Sequence, residues 1–205
     1  MSSSSFLSKP RIALIADASV VINLNATARA AEIIAAIPNP FVVTDNASAE
    51  IEAGARNGHR DYAKLVELID AGLVTRTQLG PAGMPVYESL IVGSTQGTLD
   101  DGEAATIAYA HEAAGAALID ERKARTLCAA SFPGLVVVST VEIFLHDAVA
   151  VALGEKGQVD ALVDALTIAR MRVPKEYLAK VRSMIGPERA ASCTSLPKAT
   201  REAAA

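Results

Sequence analysis

Acidic residues at Asp17, Glu50, Glu103 and Asp120 stand where carboxylates could share one ion. Asp17 closes the apolar run Ile12-Ala-Leu-Ile-Ala16, and Asp120 closes Ala116-Ala-Leu-Ile119. Both runs are too short for helices and suit strands buried on both faces. Glu50 and Glu103 fall near the starts of helical stretches. In an open parallel sheet ligands collect beyond the carboxyl ends of the strands, so the four positions can converge on one edge. Clustered carboxylates repel and raise one another's pKa, and a cation relieves that repulsion. Oxygen-only ligation suits Mg2+ or Mn2+, an ion that can activate water and stabilise charge on a phosphate; phosphodiester hydrolysis is the expected chemistry.

Each acid also has a plain structural alternative. Asp100 and Glu103 have capping-box spacing, so Glu103 could return to a backbone N–H at its helix start. Asp120 could cap the helix after it, Asp17 could be a turn residue, and Glu50 could be an exposed helical residue. Their joint placement favours the site. Other chemistry is poorly supported: His59, His111 and His146 have no ligand spacing with Cys or Glu, and Cys128 and Cys193 match no metal pattern. Gly93 to Gly97 lacks the Lys of a phosphate loop and the Ser of a nucleophile elbow, and reads as a linker bordering the cleft.

The elements that must position these acids alternate. Strands are expected at 12–16, 41–44, 73–75, 116–119 and 135–138, with helices near 27–37, from 45 onward, and at 60–71, 85–92, 101–114, 121–131 and 139–153. Connections too long for hairpins imply parallel pairing, and hence a three-layer α/β/α sandwich around a mainly parallel sheet of four to five strands. Gly154 and Gly157 mark a break before helices near 158–171 and 175–185. The expected organisation is a flexible tail over 1–10, one domain over 11–155, a helical extension over 156–185 and a disordered tail over 186–205. The 205-residue chain is 51% hydrophobic and only 4% aromatic, with net charge -4, so its core is aliphatic and any polyanion contact must be local. The Ser-rich start fits neither a signal peptide nor a membrane anchor, and a cytoplasmic location is expected.

Four segments carry a resemblance: Ile15-Ala-Asp17-Ala-Ser19-Val-Val-Ile-Asn-Leu24, Ala47-Ser-Ala-Glu50-Ile51, Leu99-Asp-Asp-Gly102-Glu103-Ala-Ala105 and Leu118-Ile-Asp120-Glu121-Arg-Lys-Ala-Arg125. With Val136-Val-Val-Ser-Thr140-Val-Glu-Ile-Phe-Leu145 behind them, the sequence over 11–155 resembles the PIN-domain superfamily, especially VapC-type toxins. The Gly-Glu-Ala form of the third motif and the Asp-Glu pair of the fourth depart from the commoner toxin pattern. The resemblance implies a Mg2+- or Mn2+-dependent endoribonuclease, the toxin of a type II toxin–antitoxin pair. Asp17, Glu50, Glu103 and Asp120 match the family's acidic positions, with Ser19, Glu121, Arg125 and Thr140 as supporting candidates. It also implies an RNA substrate, a cognate antitoxin and a homodimer. Arg56, Arg60 and Lys64 could contact RNA phosphates, with solvated helix surface as the alternative. A non-catalytic PIN-like binding module is the competing function. A phosphatase would need a second Asp where Ser19 stands, and a phospho-receiver a Lys near Ser139-Thr140.

Overall fold

The computed structural model describes residues 12–55, 58–92 and 98–202. Strand β1 (Leu14–Ala16) leads through α1 (Ala18–Ala26) and α2 (Ala30–Ala36) to β2 (Phe41–Thr44). Helices α3 (Asp45–Ala55) and α4 (Asp61–Asp70) precede β3 (Val74–Thr77), and α5 (Met84–Ile91) and α6 (Asp101–Glu112) precede β4 (Ala116–Leu118). After α7 (Arg122–Ser131) and β5 (Val136–Val138) the described chain is helical. It forms α8 (Thr140–Phe144), α9 (Asp147–Thr167), a 3-10 turn (Lys175–Tyr177), α10 (Leu178–Ile185), α11 (Pro187–Ser192) and α12 (Lys198–Glu202).

Among the described residues the sheet has five strands in the order β3-β2-β1-β4-β5, and every pairing is parallel. Because side chains alternate across a strand, each strand feeds two cores. Leu14, Ala16, Ala116 and Leu118 pack on one face with Val20, Leu24, Ile33 and Leu162. Ile15, Ala117 and Ile119 pack on the other with Leu90, Ile107, Ala124 and Cys128. This is the expected three-layer sandwich. The strand order reverses between β1 and β4, and Asp17 and Asp120 follow those two strands. The Asp17 N–H bonds the Leu118 carbonyl at 3.1 Å and the Ile119 N–H bonds Val138 at 2.9 Å, so the ladder runs up to the acids.

Three differences from the sequence reading have physical causes. Helix α1 was not expected, because the run Val20-Val-Ile22 is β-branched and a weak helix former; Asp17 caps it, and Val20 and Leu24 are buried in the core. The helix expected to reach residue 171 stops at Thr167. Residues 186–202, read from composition as a disordered tail, form α11 and α12, with Ala190, Cys193 and Leu196 buried. Small and polar residues hid three anchors that join the same core as Leu162 and Val181. The break at Gly154 is present inside α9, at φ 71 and ψ 158, a conformation that favours glycine. Among the described residues no helix is long and apolar enough to cross a membrane.

Candidate active site

The crevice of a doubly wound sheet lies where the strand order reverses. Asp17 is 4% exposed there, and its Oδ2 accepts from the Ser19 hydroxyl at 2.7 Å and the Ser19 N–H at 3.3 Å. Its Oδ1 is buried, with no hydrogen-bond partner among the described residues. Burial is the main cause of its raised pKa; the Ser19 hydroxyl opposes that rise and the Asp100 carboxylate adds to it. Asp17 caps α1 through Oδ2, the local role that the turn-residue alternative describes, while Oδ1 makes no hydrogen bond among the described residues.

Asp120 is held differently. Its Oδ1 accepts from the Thr140 N–H at 2.8 Å, and its Oδ2 accepts from the Thr140 hydroxyl at 2.6 Å and from Asn23 Nδ2 at 2.7 Å. Burial pushes its pKa up to about 6, while Thr140 pulls it down. It does not cap α7; Glu121 does, accepting from the Lys123 N–H at 3.4 Å. Thr140, Ser19 and Asn23 are thus what orient the two aspartates, and Asn23 had no assigned role in the sequence reading.

Helix α3 packs against α6 and brings Glu50 and Glu103 to the same place. Gly102 makes the approach possible: a Cβ there would stand 2.4 Å from Glu50 Oε2 and 3.4 Å from Asp17 Oδ1. Glu50 is exposed as a residue, yet its carboxylate leans over the acid cluster. Burial and then Asp17 push its pKa to about 7. Glu103 is 6% exposed, and burial, then Asp100 and Asp17, also hold it at about 7. Asp100 caps α6 by accepting from the Glu103 N–H at 2.9 Å, and the Asp100 backbone N–H in turn favours the charged Glu103 carboxylate. Glu103 thus sits in the first turn of α6 and in the carboxylate cluster at once.

Asp100, read only as a cap, therefore belongs to the cluster as well. Its neighbour Asp101 is engaged with Asn46 at 3.0 Å and with the Tyr87 hydroxyl, which ties α3 and α5 to α6. The acids open into a cavity of about 530 Å³ that also meets Lys123, Arg170 and Arg172. The two arginines come from the segment after α9, and no motif in the sequence had marked them. Arg125 donates to the Ile119 carbonyl at 3.3 Å and pairs with Glu176 at 3.6 Å, a packing role that also lowers the pKa of Asp120. Arg60 and Lys64 do not line the cavity; Lys64 donates to the Asn25 carbonyl at 2.9 Å. Arg56 and the Gly93 to Gly97 linker lie outside the described residues.

Among the described residues no three His, Cys, Asp or Glu side chains already close on an ion. The donors nevertheless fit a hard divalent cation in kind. They are all carboxylate oxygens, Asp17 Oδ1 is buried and unpartnered, and Gly102 leaves open the space between it and Glu50. A loosely held Mg2+ keeps several waters and asks few protein ligands.

The fold and site define a class: a doubly wound parallel α/β protein with a carboxylate cluster at its switch point. A PIN-domain family model matches residues 13–187, and the chain belongs to the PIN-domain family. The match runs through α9 and α10, so these helices are part of the matched region. Searches of curated proteins and of solved structures find no match. PIN domains are generally nucleases and typically use divalent metals.

Proposed function

We propose that this chain is a Mg2+- or Mn2+-dependent endoribonuclease that hydrolyses RNA phosphodiester bonds, acting as the toxin of a type II toxin–antitoxin pair. The observation that carries this reading is the open Asp17 Oδ1 facing Glu50 Oε2 across the side-chain-free Gly102, with Glu103 beside them. Asp17, Glu50 and Glu103 would hold the ion, which when bound supplies positive charge against the phosphate and makes water a better nucleophile. Asp120 contributes charge and order, because its three hydrogen bonds fix the β4 and β5 ends around the site. Ser19 engages Asp17 Oδ2 and leaves the buried Oδ1 as the oxygen that would meet the ion.

The decisive measurement is cleavage of labelled RNA by the purified full chain with Mg2+ or Mn2+ and with EDTA. Cleavage that needs the ion and disappears in Asp17→Asn and Glu103→Gln is the expected result. A chain that cuts no RNA and binds neither ion is not the proposed enzyme. The toxin role predicts growth arrest on expression, relieved by Asp17→Asn and by a co-expressed antitoxin. The same reading places the protein in the cytoplasm, and exposed Val151 and Ile168 support an apolar contact with a second copy or an antitoxin. Light scattering and co-purification test those two contacts.

A further inference from the structure

The segment between α9 and the 3-10 turn crosses the mouth of the acid pocket. Met171 anchors it: the side chain is 1% exposed, and its N–H bonds the Ala165 carbonyl at 2.9 Å. Arg170 has φ 57, an uncommon left-handed conformation for a residue with a side chain, and such outliers cluster where position matters. The buried Met and the turned backbone together station Arg170 and Arg172 on the pocket wall. Arg172 pairs there with Glu121, the residue after Asp120, and its side chain is 68% exposed. The paired Glu121 Oε2 is buried, so the pair holds Arg172 in place while the remaining N–H donors of its exposed guanidinium stay free to meet an arriving phosphate.

Beyond Arg172 lies a second cavity of about 690 Å³ that shares Asp120 and Arg172 with the acid pocket. Its lining combines Arg122, Arg172 and Lys175, and Glu176 in its pair with Arg125, with apolar Val173, Pro174 and Leu178, so cations outnumber carboxylates there. That size falls in the usual range for small-ligand sites. A free phosphate or a carboxylate has no use for the apolar surface, and a purely apolar ligand has none for the cations. A nucleotide uses both, with its phosphate on the cations and its base or ribose against the apolar residues. The whole chain carries net charge -4, so attraction for a polyanion has to be concentrated in patches of this kind.

Resting on the ribonuclease reading, we propose that this groove holds the nucleotide adjoining the scissile phosphate of single-stranded RNA, with Arg172 and Lys175 as its phosphate contacts. Single strands are required because a base must leave its stack to lie on the groove. The groove would then set both the direction in which RNA enters and the preference for unpaired substrate.

The experiment uses the full chain and a fluorescently labelled single-stranded RNA of mixed sequence, with binding read by anisotropy in EDTA and cleavage measured separately in Mg2+. Arg172→Ala and Lys175→Ala should each weaken binding by roughly tenfold and lower the salt slope by about one, the signature of a lost phosphate contact. Lys156→Ala, an exposed position of α9 outside both cavities, should bind as the unmodified chain does. RNA carrying 4-thiouridine should photo-crosslink to the peptide containing Val173 to Leu178. Thermal melts check that the variants fold, and if Arg172→Ala does not, Arg122→Ala with Lys175→Ala decides. Cleavage and binding that persist unchanged in the groove variants overturn the subsite and leave the nuclease standing. An equal loss of binding to duplex RNA and to heparin also overturns it, in favour of a general cationic patch. An unmodified chain that neither binds nor cuts RNA overturns both readings, and crosslinks confined to other peptides overturn the groove alone.

Discussion

At the scale of single residues, the acids of the pocket divide by what each oxygen already touches. Asp17 and Glu103 suffer burial and like charge with few compensating bonds, so neutralising either should relieve repulsion. In EDTA, Asp17→Asn and Glu103→Gln should melt at or above the temperature of the unmodified chain while activity falls by more than about a hundredfold. Asp120 differs in its bonds: three donors depend on it, and Asp120→Ala, which strands them, should cost about 1–3 kcal/mol by denaturant titration. Equal effects of all three on stability would contradict this division. Gly102→Ala supplies a further separation, because the added methyl meets the flexible end of Glu50 rather than backbone. We expect a nearly unchanged melt but weaker Mn2+ binding by calorimetry, and retained affinity would show that Glu50 is not a ligand. The four acids could be picked from the sequence because they close short apolar runs or open helices. Asp100 could not be told from a simple cap, since its second role arises only from its closeness to Glu50 and Glu103.

At the scale of elements, the segment after α9 does work that its composition conceals. Met171 is its only residue of the stretch 168–172 in the core, flanked by exposed Arg170 and Arg172. Truncating it should leave a cavity and cost about 2–5 kcal/mol, the usual range for a buried Met. Because the two arginines ride on that anchor, Met171→Ala should also weaken RNA binding more than it weakens metal binding. Comparable loss in both, with the fold intact, would argue against a positioning role. Helix α1 teaches a related lesson. Its β-branched run reads as a poor helix, yet the Asp17 cap and burial of Val20, Val21 and Leu24 outweigh propensity. Elsewhere the punctuation was plain, as with Gly154 inside α9 and the apolar runs of β1, β2 and β4.

At the scale of the whole molecule, the acid cluster makes stability depend on pH and, under the proposed function, on cations as well. Glu50 and Glu103 titrate at about 7 in the folded chain against an ordinary value of 4.5, and Asp120 at about 6 against 3.8. Between those values the folded state holds more protons than the unfolded chain, so stability falls as pH rises through this window. In EDTA the Tm should therefore drop between pH of about 5 and 8, and Mg2+ or Mn2+ should restore it most at the upper end. A Tm that rose with pH in EDTA, or an ion effect greatest at low pH, would speak against a cation-relieved cluster. The rest of the molecule supplies a stiff frame for this strain: two aliphatic cores grip the sheet from both faces, and both cysteines are free and buried, with Cys128 pushed up to about 11.

Sequence alone determined the α/β alternation, the parallel sheet and the acids at strand and helix ends, because hydrophobic periodicity and terminal residues are local properties written into adjacent positions. Tertiary structure alone decided which oxygens remain open. Asp17 and Asp120 look alike as strand-ending aspartates, but Ser19 lies two residues away whereas Asn23 and Thr140 reach Asp120 across 97 and 20 positions. It also decided that Arg170 and Arg172 share a cavity with Glu50, and that Gly102 is small because two carboxylates crowd it. Convergence of distant segments on a switch point depends on strand order, and strand order leaves no mark on neighbouring residues.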